Sequence, residues 1–350
     1  MDTGSRTLDR IKQSKKRGLD MLGDKIKIQS KVDSDYTDEQ LLFVKQMGVK
    51  YVYVIFRDEH TDYDSVMRFM ERLHKFDLTV TDAGNVHLYK NDKIHLGLPG
   101  RDEAIEAYNN FNRVLGKAGI RVGYMTWEPN QVLTTAFKVS QYTSGGIGRV
   151  VDIGELEKRP YSHGRLYTKE EMWDNFKYFL DRALPVCEEA NIKIALHPND
   201  PPVDCLVGIS NLITSAEDYK HAFELAGNSP YLGMKMCIGC WLEGGERFGN
   251  VMEDIRYFVE NKKVLLVHFR NVSSTMPYFE ETLLENGYMD MYELMKQFVR
   301  YDYDGMMHVD HVPVWGKSVG GESASWAYST GYMKALLNCA KSDLNRSERE

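Results

Sequence analysis

Residues 168–200 read TKEEMWDNFKYFLDRALPVCEEANIKIALHPND and join a helical pattern directly to a short apolar run. Apolar side chains recur with helical spacing from Trp173 to Leu180. The first four residues have the spacing of a capping box, in which two side chains bond free N–H groups of a helix's first turn. The run Ile192–His197 has the length and composition of a buried strand. This stretch therefore predicts a helix followed by a strand.

The same unit recurs along the chain, and eight apolar runs of strand character alternate with helical patterns. Alternating strands and helices indicate parallel pairing. Eight such units are the number that closes a TIM barrel, so we predict an α/β protein with a single (β/α)8 barrel. An open doubly wound sheet is the alternative, but no GxGxxG turn follows the first run. The runs are Lys25–Gln29, Lys50–Phe56, Leu78–His87, Ile120–Trp127, Ile192–His197, Leu232–Cys237, Val264–Phe269 and Gly305–His311.

Two further stretches have the capping-box pattern of a helix start, Thr37–Gln40 and Thr214–Glu217. Three glycines stand where helix C-terminal glycines are expected, at Gly48, Gly119 and Gly227. These signals place helix boundaries between the predicted strands.

The chain exceeds the usual ~250 residues of this barrel, and the excess falls mainly in two places. We predict an N-terminal extension over residues 1–20, the barrel over 21–342 and a polar tail over 343–350. Within the barrel, residues 128–167 show little helical periodicity and form a long insertion between the fourth strand and the fourth helix. Loops of that length are usually functional, so we predict a lid-like role.

The composition is that of an ordinary globular protein, with 350 residues, 43% hydrophobic and 27% charged. A net charge of −7 argues against a nucleic-acid partner, although a local pocket can still bind a small anion. No apolar run reaches the ~20 residues that span a bilayer, and the polar N-terminus lacks a signal-peptide core. Five scattered cysteines do not suggest a disulfide framework. We expect a cytoplasmic protein without a membrane or nucleic-acid partner.

The last four predicted strands end on residues that can bind a metal: His197, Cys237, His268 and Asp310. In a parallel barrel the C-terminal ends of the strands build the active face. Each residue alone has a structural explanation, such as a hydrogen-bonded histidine or a small core cysteine. Together they supply two imidazoles, a thiolate and a carboxylate, which suit a divalent transition metal with room left for substrate oxygens.

Cys237 and Cys240 also form a CxxC pair. A zinc knuckle needs a second half-site of similar spacing, which the sequence lacks. A redox pair of the thioredoxin kind remains an alternative, although that motif belongs to a much smaller fold.

Two further residues lie beside the candidate metal ligands. His311 directly follows Asp310 and is a candidate general acid or base near neutral pH. Its alternatives are to bind the metal itself or to cap the following loop. Arg270 follows His268, and its planar guanidinium could hold a substrate carboxylate with two hydrogen bonds. A plain ion pair is the alternative for Arg270.

The ordered set of motifs resembles the metal-dependent mannonate dehydratases, which are built on a xylose-isomerase-like barrel. The resemblance extends over roughly residues 40 to 340. It rests on Asn85–His87, Lys93–Asp102, Leu115–Ile120, Glu171–Glu189, Leu196–Pro202, Gly233–Gly239, His268–Asn271, Asp310–His311 and Trp315–Gly316.

The resemblance implies one divalent metal ion, Mn²⁺ or Fe²⁺, held by the four strand-end residues. It implies catalytic roles for His311 and Arg270, and it implies that Asn85, His87, Arg270 and Asn271 contact the substrate. The implied reaction of hexuronate catabolism removes water from D-mannonate and gives 2-keto-3-deoxy-D-gluconate. The expected partners are a small sugar acid and further copies of the chain in a homo-oligomer.

The sequence also departs from the family pattern. Asn199-Asp200 stands where two adjacent aspartates are usual, and Val312-Pro follows Asp-His where Gly-Arg-Met is usual. No tyrosine occupies the place of the family's proposed catalytic one, and Tyr328 and Tyr332 are expected in a helix. The proton-transfer groups therefore differ from the pattern. A metal-dependent sugar isomerase or epimerase and a non-catalytic barrel that binds a sugar acid are the alternatives.

Overall fold

The computed structural model describes residues 22–347, and within them eight parallel strands form a nearly closed barrel. The hydrogen-bonded order is β3-β2-β1-β8-β7-β6-β5-β4, and β3 and β4 lie side by side to complete the ring. Each strand overlaps one predicted run, so the predicted TIM barrel is confirmed. The strands are β1 Lys27–Asp33, β2 Tyr51–Ile55, β3 Thr79–Gly84, β4 Val122–Thr126, β5 Lys193–His197, β6 Leu232–Cys237, β7 Val264–His268 and β8 Met306–His308.

One long helix follows each strand and packs outside the barrel. The helices are α1 Asp38–Gln46, α2 Tyr63–His74, α3 Arg101–Lys117, α4 Lys169–Glu189, α5 Ala216–Leu225, α6 Val251–Glu260, α7 Met291–Arg300 and α8 Gly321–Ser347. None of the helices within residues 22–347 combines the length and apolarity needed to cross a bilayer.

The predicted helix starts hold with one correction. Thr37 and Thr168 form complete capping boxes at α1 and α4. At α5 the cap is Ser215, whose hydroxyl accepts from the Asp218 backbone N–H at 3.1 Å. Thr214 instead donates its hydroxyl to the Asp218 carboxylate at 2.9 Å. The helix therefore begins one residue later than the pattern predicts, because two hydroxyl residues compete for the capping position.

The C-terminal end of the chain and the end of the third strand differ from the predictions. The predicted extension over residues 1–20 lies outside the described residues. The last helix continues through Ser347, so most of the predicted polar tail is helical. The third strand ends at Gly84, and the predicted strand residue His87 lies in a short helix, Val86–Tyr89.

The insertion between β4 and α4 contains an antiparallel hairpin, Ala136–Val139 paired with Ile147–Asp152. We call residues 136–152 the insertion hairpin. Its second strand also pairs with Tyr278–Glu280 from the loop after β7, and Ile147 bridges to Val314 after β8. The insertion is therefore held against the loops that follow the last two strands, at the C-terminal end of the barrel.

Strand register places the candidate ligands side by side. Cys237 of β6 lies opposite His268 of β7, and one position earlier on the same side Lys235 lies opposite Leu266. Leu266 belongs to a cluster inside the barrel that includes Tyr53 and Tyr124. Side chains alternate along a strand, so Lys235 and Cys237 both face the barrel interior, and Lys235 lies one layer deeper.

Candidate metal centre and active site

The four strand-end residues converge on one point. His197, Cys237, His268 and Asp310 each offer a donor atom, and these atoms all lie within 4.8 Å of one another. Nε2 of His197 is 3.2 Å from Nδ1 of His268, which in turn is 3.1 Å from Oδ2 of Asp310. The two histidines and the cysteine are buried. The fold therefore brings together the predicted quartet: three members end β5, β6 and β7, and Asp310 lies two residues past the end of β8.

The orientation of His197 suits a metal ligand. Its Nδ1 lies 2.6 Å from the backbone oxygen of Pro198. A carbonyl oxygen only accepts hydrogen bonds, so this nitrogen carries the proton. In the neutral ring the lone pair then lies on Nε2, which faces the other three donors. Metal-binding histidines are commonly oriented in this way by a hydrogen bond from the second ring nitrogen.

Two of the donors are held in their anionic forms. Burial opposes ionisation of the Cys237 thiol, but hydrogen bonding from Cys240 and the charge of Arg270 outweigh it and hold its pKa well below the usual range. Burial likewise opposes ionisation of Asp310, and the His268 and His311 rings lower the pKa of that carboxyl. Two imidazoles, a thiolate and a carboxylate fit a divalent transition metal.

Arg270 lies beside the quartet in a buried network of charges. Its guanidinium donates to Asp200 at 2.6 Å and to Glu243 at 2.5 Å, and its Nε is 3.5 Å from Asp310 Oδ2. Gly239 packs against it, and an added Cβ there would overlap the guanidinium. The Arg270 side chain is only 3% exposed. Its hydrogen bonds are therefore directed to protein carboxylates rather than to the cavity. This arrangement matches the ion pair that the sequence analysis gave as the alternative to substrate binding.

A second buried arginine links the insertion hairpin to His311. Arg149 donates to Asp200 at 2.6 Å and to Glu281 at 3.0 Å. The Glu281 carboxylate also accepts from Nδ1 of His311. Burial would raise the pKa of Glu281, but His311 and Arg149 lower it to about 2. The sequence pattern does not predict Arg149 and Glu281 as site residues, because they lie in a hairpin and a loop rather than at the ends of barrel strands.

His311 lies beside the quartet. Its Nε2 is 3.6 Å from Asp310 Oδ2. Burial lowers the pKa of His311, but the Asp310 and Glu281 carboxylates outweigh this and raise it to about 9. With Nδ1 bonded to Glu281, Nε2 is the nitrogen free to exchange a proton with a bound molecule.

A cavity of about 600 Å³ opens next to this cluster. His268, Asp310 and His311 form part of its wall, and so do Lys235 and Tyr124. Its volume is within the range of small-molecule sites.

Three predicted substrate contacts have other partners within the protein. Asn85 caps the short helix Val86–Tyr89 and donates to the Phe56 carbonyl at 3.0 Å. His87 is exposed and pairs with Asp58. Asn271 is buried and donates to two carbonyls of its own loop, Leu284 and Met289. None of the three is among the residues that line the cavity.

Known proteins share this fold and sequence pattern. A solved structure of mannonate dehydratase from Streptococcus suis serotype 2 superposes with a TM-score of 0.80 at 22% identity, covering 91% of this chain and 96% of that one. A xylose isomerase domain protein from Planctomyces limnophilus superposes with a TM-score of 0.57 at 13% identity, covering 88% and 95%. The chain is therefore a TIM barrel of the xylose-isomerase-like class.

Sequence similarity identifies the family within that class. The D-mannonate dehydratase family model matches residues 152–345. The mannonate dehydratase of Thermotoga maritima is 31% identical over 310 residues, which cover 78% of this chain and 82% of that relative. The chain belongs to the mannonate dehydratase family and is a lyase of the hydro-lyase type.

Proposed function

We propose that this chain removes water from D-mannonate to give 2-keto-3-deoxy-D-gluconate, with one Mn²⁺ or Fe²⁺ ion as cofactor. The observation that carries the proposal is the convergence of four donor atoms beside His311 and an open cavity, in a member of this family. His197, Cys237, His268 and Asp310 would hold the ion. When bound, it supplies positive charge that stabilises the anion formed as the proton at C2 leaves.

His311 is the proposed acid or base of the reaction. A base must take the proton from C2, and an acid must protonate the departing C3 hydroxyl. Glu281 fixes Nδ1 of the His311 ring, so proton exchange occurs at Nε2. Arg149 holds the Glu281 carboxylate in place at 3.0 Å. These two contacts therefore hold the His311 ring in a fixed orientation before the substrate binds.

Arg270 acts in this proposal by positioning Asp310 rather than by binding substrate. Its Nε is 3.5 Å from Asp310 Oδ2, while its two terminal nitrogens hold Asp200 and Glu243. It thus favours the anionic form of a candidate metal ligand.

The two tyrosines predicted to lie in the last helix are not among the residues that line the cavity. Tyr328 and Tyr332 both lie in α8, as the sequence predicts, and the Tyr328 hydroxyl donates to Glu285. The proposal therefore assigns proton transfer to His311 among the residues named from the sequence. One ring can serve both steps, since Nε2 can take the C2 proton and give it to the departing C3 hydroxyl, which leaves as water.

The test incubates purified protein with Mn²⁺ or Fe²⁺ and D-mannonate and measures the 2-keto-3-deoxy acid. Product that requires added metal supports the proposal. Absence of product with both metals, together with turnover of a ketose or a uronate, would establish the isomerase or epimerase alternative.

The resemblance also supports a cytoplasmic homo-oligomer, and light scattering of the same sample tests the oligomeric state.

A further inference from the structure

Lys235 has a buried ammonium group that lines the cavity. The residue is 7% exposed, and it forms part of the cavity wall together with His268 and Asp310. Within residues 22–347, no carboxylate lies within the 4 Å ion-pair distance of its Nζ. We propose that Lys235 binds the carboxylate of the substrate and so selects sugar acids over neutral sugars. This inference rests on the proposed function and adds the group that recognises the acid.

The other lysine and arginine side chains of the cavity wall are already paired. In each case a carboxylate of the protein lies 3.3 Å or less from the cationic nitrogen. The pairs are Lys31 with Asp33, Arg57 with Asp35, and Arg149 with Asp200. A bound anion would have to compete with those carboxylates, whereas at Lys235 it would have no such competitor.

The surroundings of Lys235 only partly compensate for its charge. Its Nζ lies 3.5 Å from the centre of the Tyr124 ring, whose π face attracts a cation. The Tyr124 hydroxyl donates to Asp82, and that carboxylate also accepts from Thr81 at 2.7 Å. Burying a charge without a hydrogen-bonded partner is costly. A ligand carboxylate would supply charge-assisted hydrogen bonds to the ammonium group.

The position of Lys235 suits a group attached to the reacting carbon. Lys235 precedes Cys237 by two residues on β6 and faces the same side, so its backbone lies roughly 7 Å deeper in the barrel. In a sugar acid the carboxyl carbon adjoins the carbon that loses its proton. A carboxylate on Lys235 would leave C2 and C3 toward the quartet and His311, with the remaining hydroxyls toward the cavity mouth. The substrate would therefore bind with its acid end inward.

The test compares binding of D-mannonate with binding of its neutral amide, D-mannonamide, to the metal-loaded enzyme by calorimetry. D-gluconate and D-gluconamide form a second pair. The unaltered enzyme is expected to bind each acid at least 10-fold more tightly than its amide. Lys235→Met removes the charge and keeps the length of the side chain. The affinity of this variant for the acid is therefore expected to fall 10-fold or more, while its affinity for the amide changes less than 3-fold. Lys31→Met is the matched control, since its charge is paired with Asp33, and it is expected to keep the preference.

Other outcomes would overturn the role of Lys235. One such outcome is that Lys235→Met loses affinity equally for the acid and the amide, or for neither. Another is that the unaltered enzyme binds the acid no more tightly than the amide. Lys235→Gln is a second variant with a shorter neutral side chain. Loss of bound metal or of the folded state in both variants would assign Lys235 to structure instead. Turnover of D-mannonate is assayed separately, so the absence of a keto product refutes the proposed function without deciding the acid preference.

Discussion

Nε2 of His197 lies 3.2 Å from Nδ1 of His268, although the two residues belong to strands that are not hydrogen-bonded to each other. The strand between β5 and β7 is β6, which ends on Cys237. Three neighbouring strands thus each direct one donor toward the same point. The Pro198 carbonyl accepts a hydrogen bond from Nδ1 of His197, so the ring proton lies on Nδ1 and not on Nε2. The two imidazoles therefore approach closely without an obligatory hydrogen bond between them, as the ligands of one ion would.

Removal of either ligand is expected to remove the metal. His197→Ala and Cys237→Ser each delete one of four donor atoms, and we expect bound Mn²⁺ or Fe²⁺ to fall at least 10-fold in each purified variant. Elemental analysis by mass spectrometry measures this directly. Cys205→Ser is the control, because Cys205 is an exposed free thiol away from the quartet. Unchanged metal content in both ligand variants would refute the quartet.

The sequence predicts the quartet because each donor stands at the end of a strand. Parallel strands in a barrel bring their C-terminal ends to one face, so position along the chain translates into position in space. The same reasoning could have found Lys235. It stands between Met234 and Met236 in a buried strand, and alternation places it on the inward side with Cys237. A lysine at an inward position of a barrel strand is itself an indication of a functional residue, because burying its charge is costly.

The contacts around His311 could not be predicted in this way. Arg149 and Glu281 are 132 residues apart, and both lie outside the eight barrel strands. The insertion hairpin that carries Arg149 gives no clear pattern either. All four residues of Ala136–Val139 are exposed, so the apolar side chains of Phe137 and Val139 do not mark a buried face. Long-range loop contacts of this kind require the three-dimensional structure.

Changes at His311 and at Glu281 are expected to lower turnover while metal is retained. His311→Asn removes the exchangeable proton at Nε2, and we expect kcat to fall by a factor of ~10²–10⁴, as for loss of a general acid or base. Glu281→Gln keeps the shape of the side chain but removes the charge that fixes the ring, and a smaller fall of ~10–10² is expected. Steady-state kinetics with D-mannonate measures both, and elemental analysis of the same samples gives the metal content. Loss of metal in His311→Asn would instead make His311 a ligand.

Acid is expected to destabilise the fold through His95. This histidine is fully buried against Trp127, and burial together with the charge of Lys90 lowers its pKa to about 3. Above about pH 6.5 the ring is neutral in both the folded and the unfolded chain. At lower pH the unfolded chain binds the proton first, so its free energy falls relative to that of the folded chain. This loss of stability ends only near the folded pKa.

Comparison with His95→Gln isolates this effect. The free energy of unfolding of the unaltered chain should fall by about 2 kcal/mol more than that of the variant between pH 7 and pH 5. Urea unfolding followed by circular dichroism at each pH measures the difference. His74→Gln, at an exposed position, controls for the loss of one imidazole. Parallel pH curves for the unaltered chain and His95→Gln would show that the buried ring does not carry the linkage.

Arg270 is expected to stabilise the fold strongly because it neutralises two buried carboxylates. Asp200 and Glu243 are 1% and 0% exposed, and Arg270→Met would leave Glu243 with Arg149 at 4.0 Å as its nearest cation. Removing one partner of a buried pair typically costs about 3–5 kcal/mol. Arg256→Met is the matched control: Arg256 pairs with Glu260 at 3.3 Å on the surface, where such a pair contributes up to ~0.5 kcal/mol. Urea unfolding of the two variants should therefore differ by several kcal/mol. Equal stabilities would mean that Arg149 and protonation of Glu243 together replace the charge of Arg270.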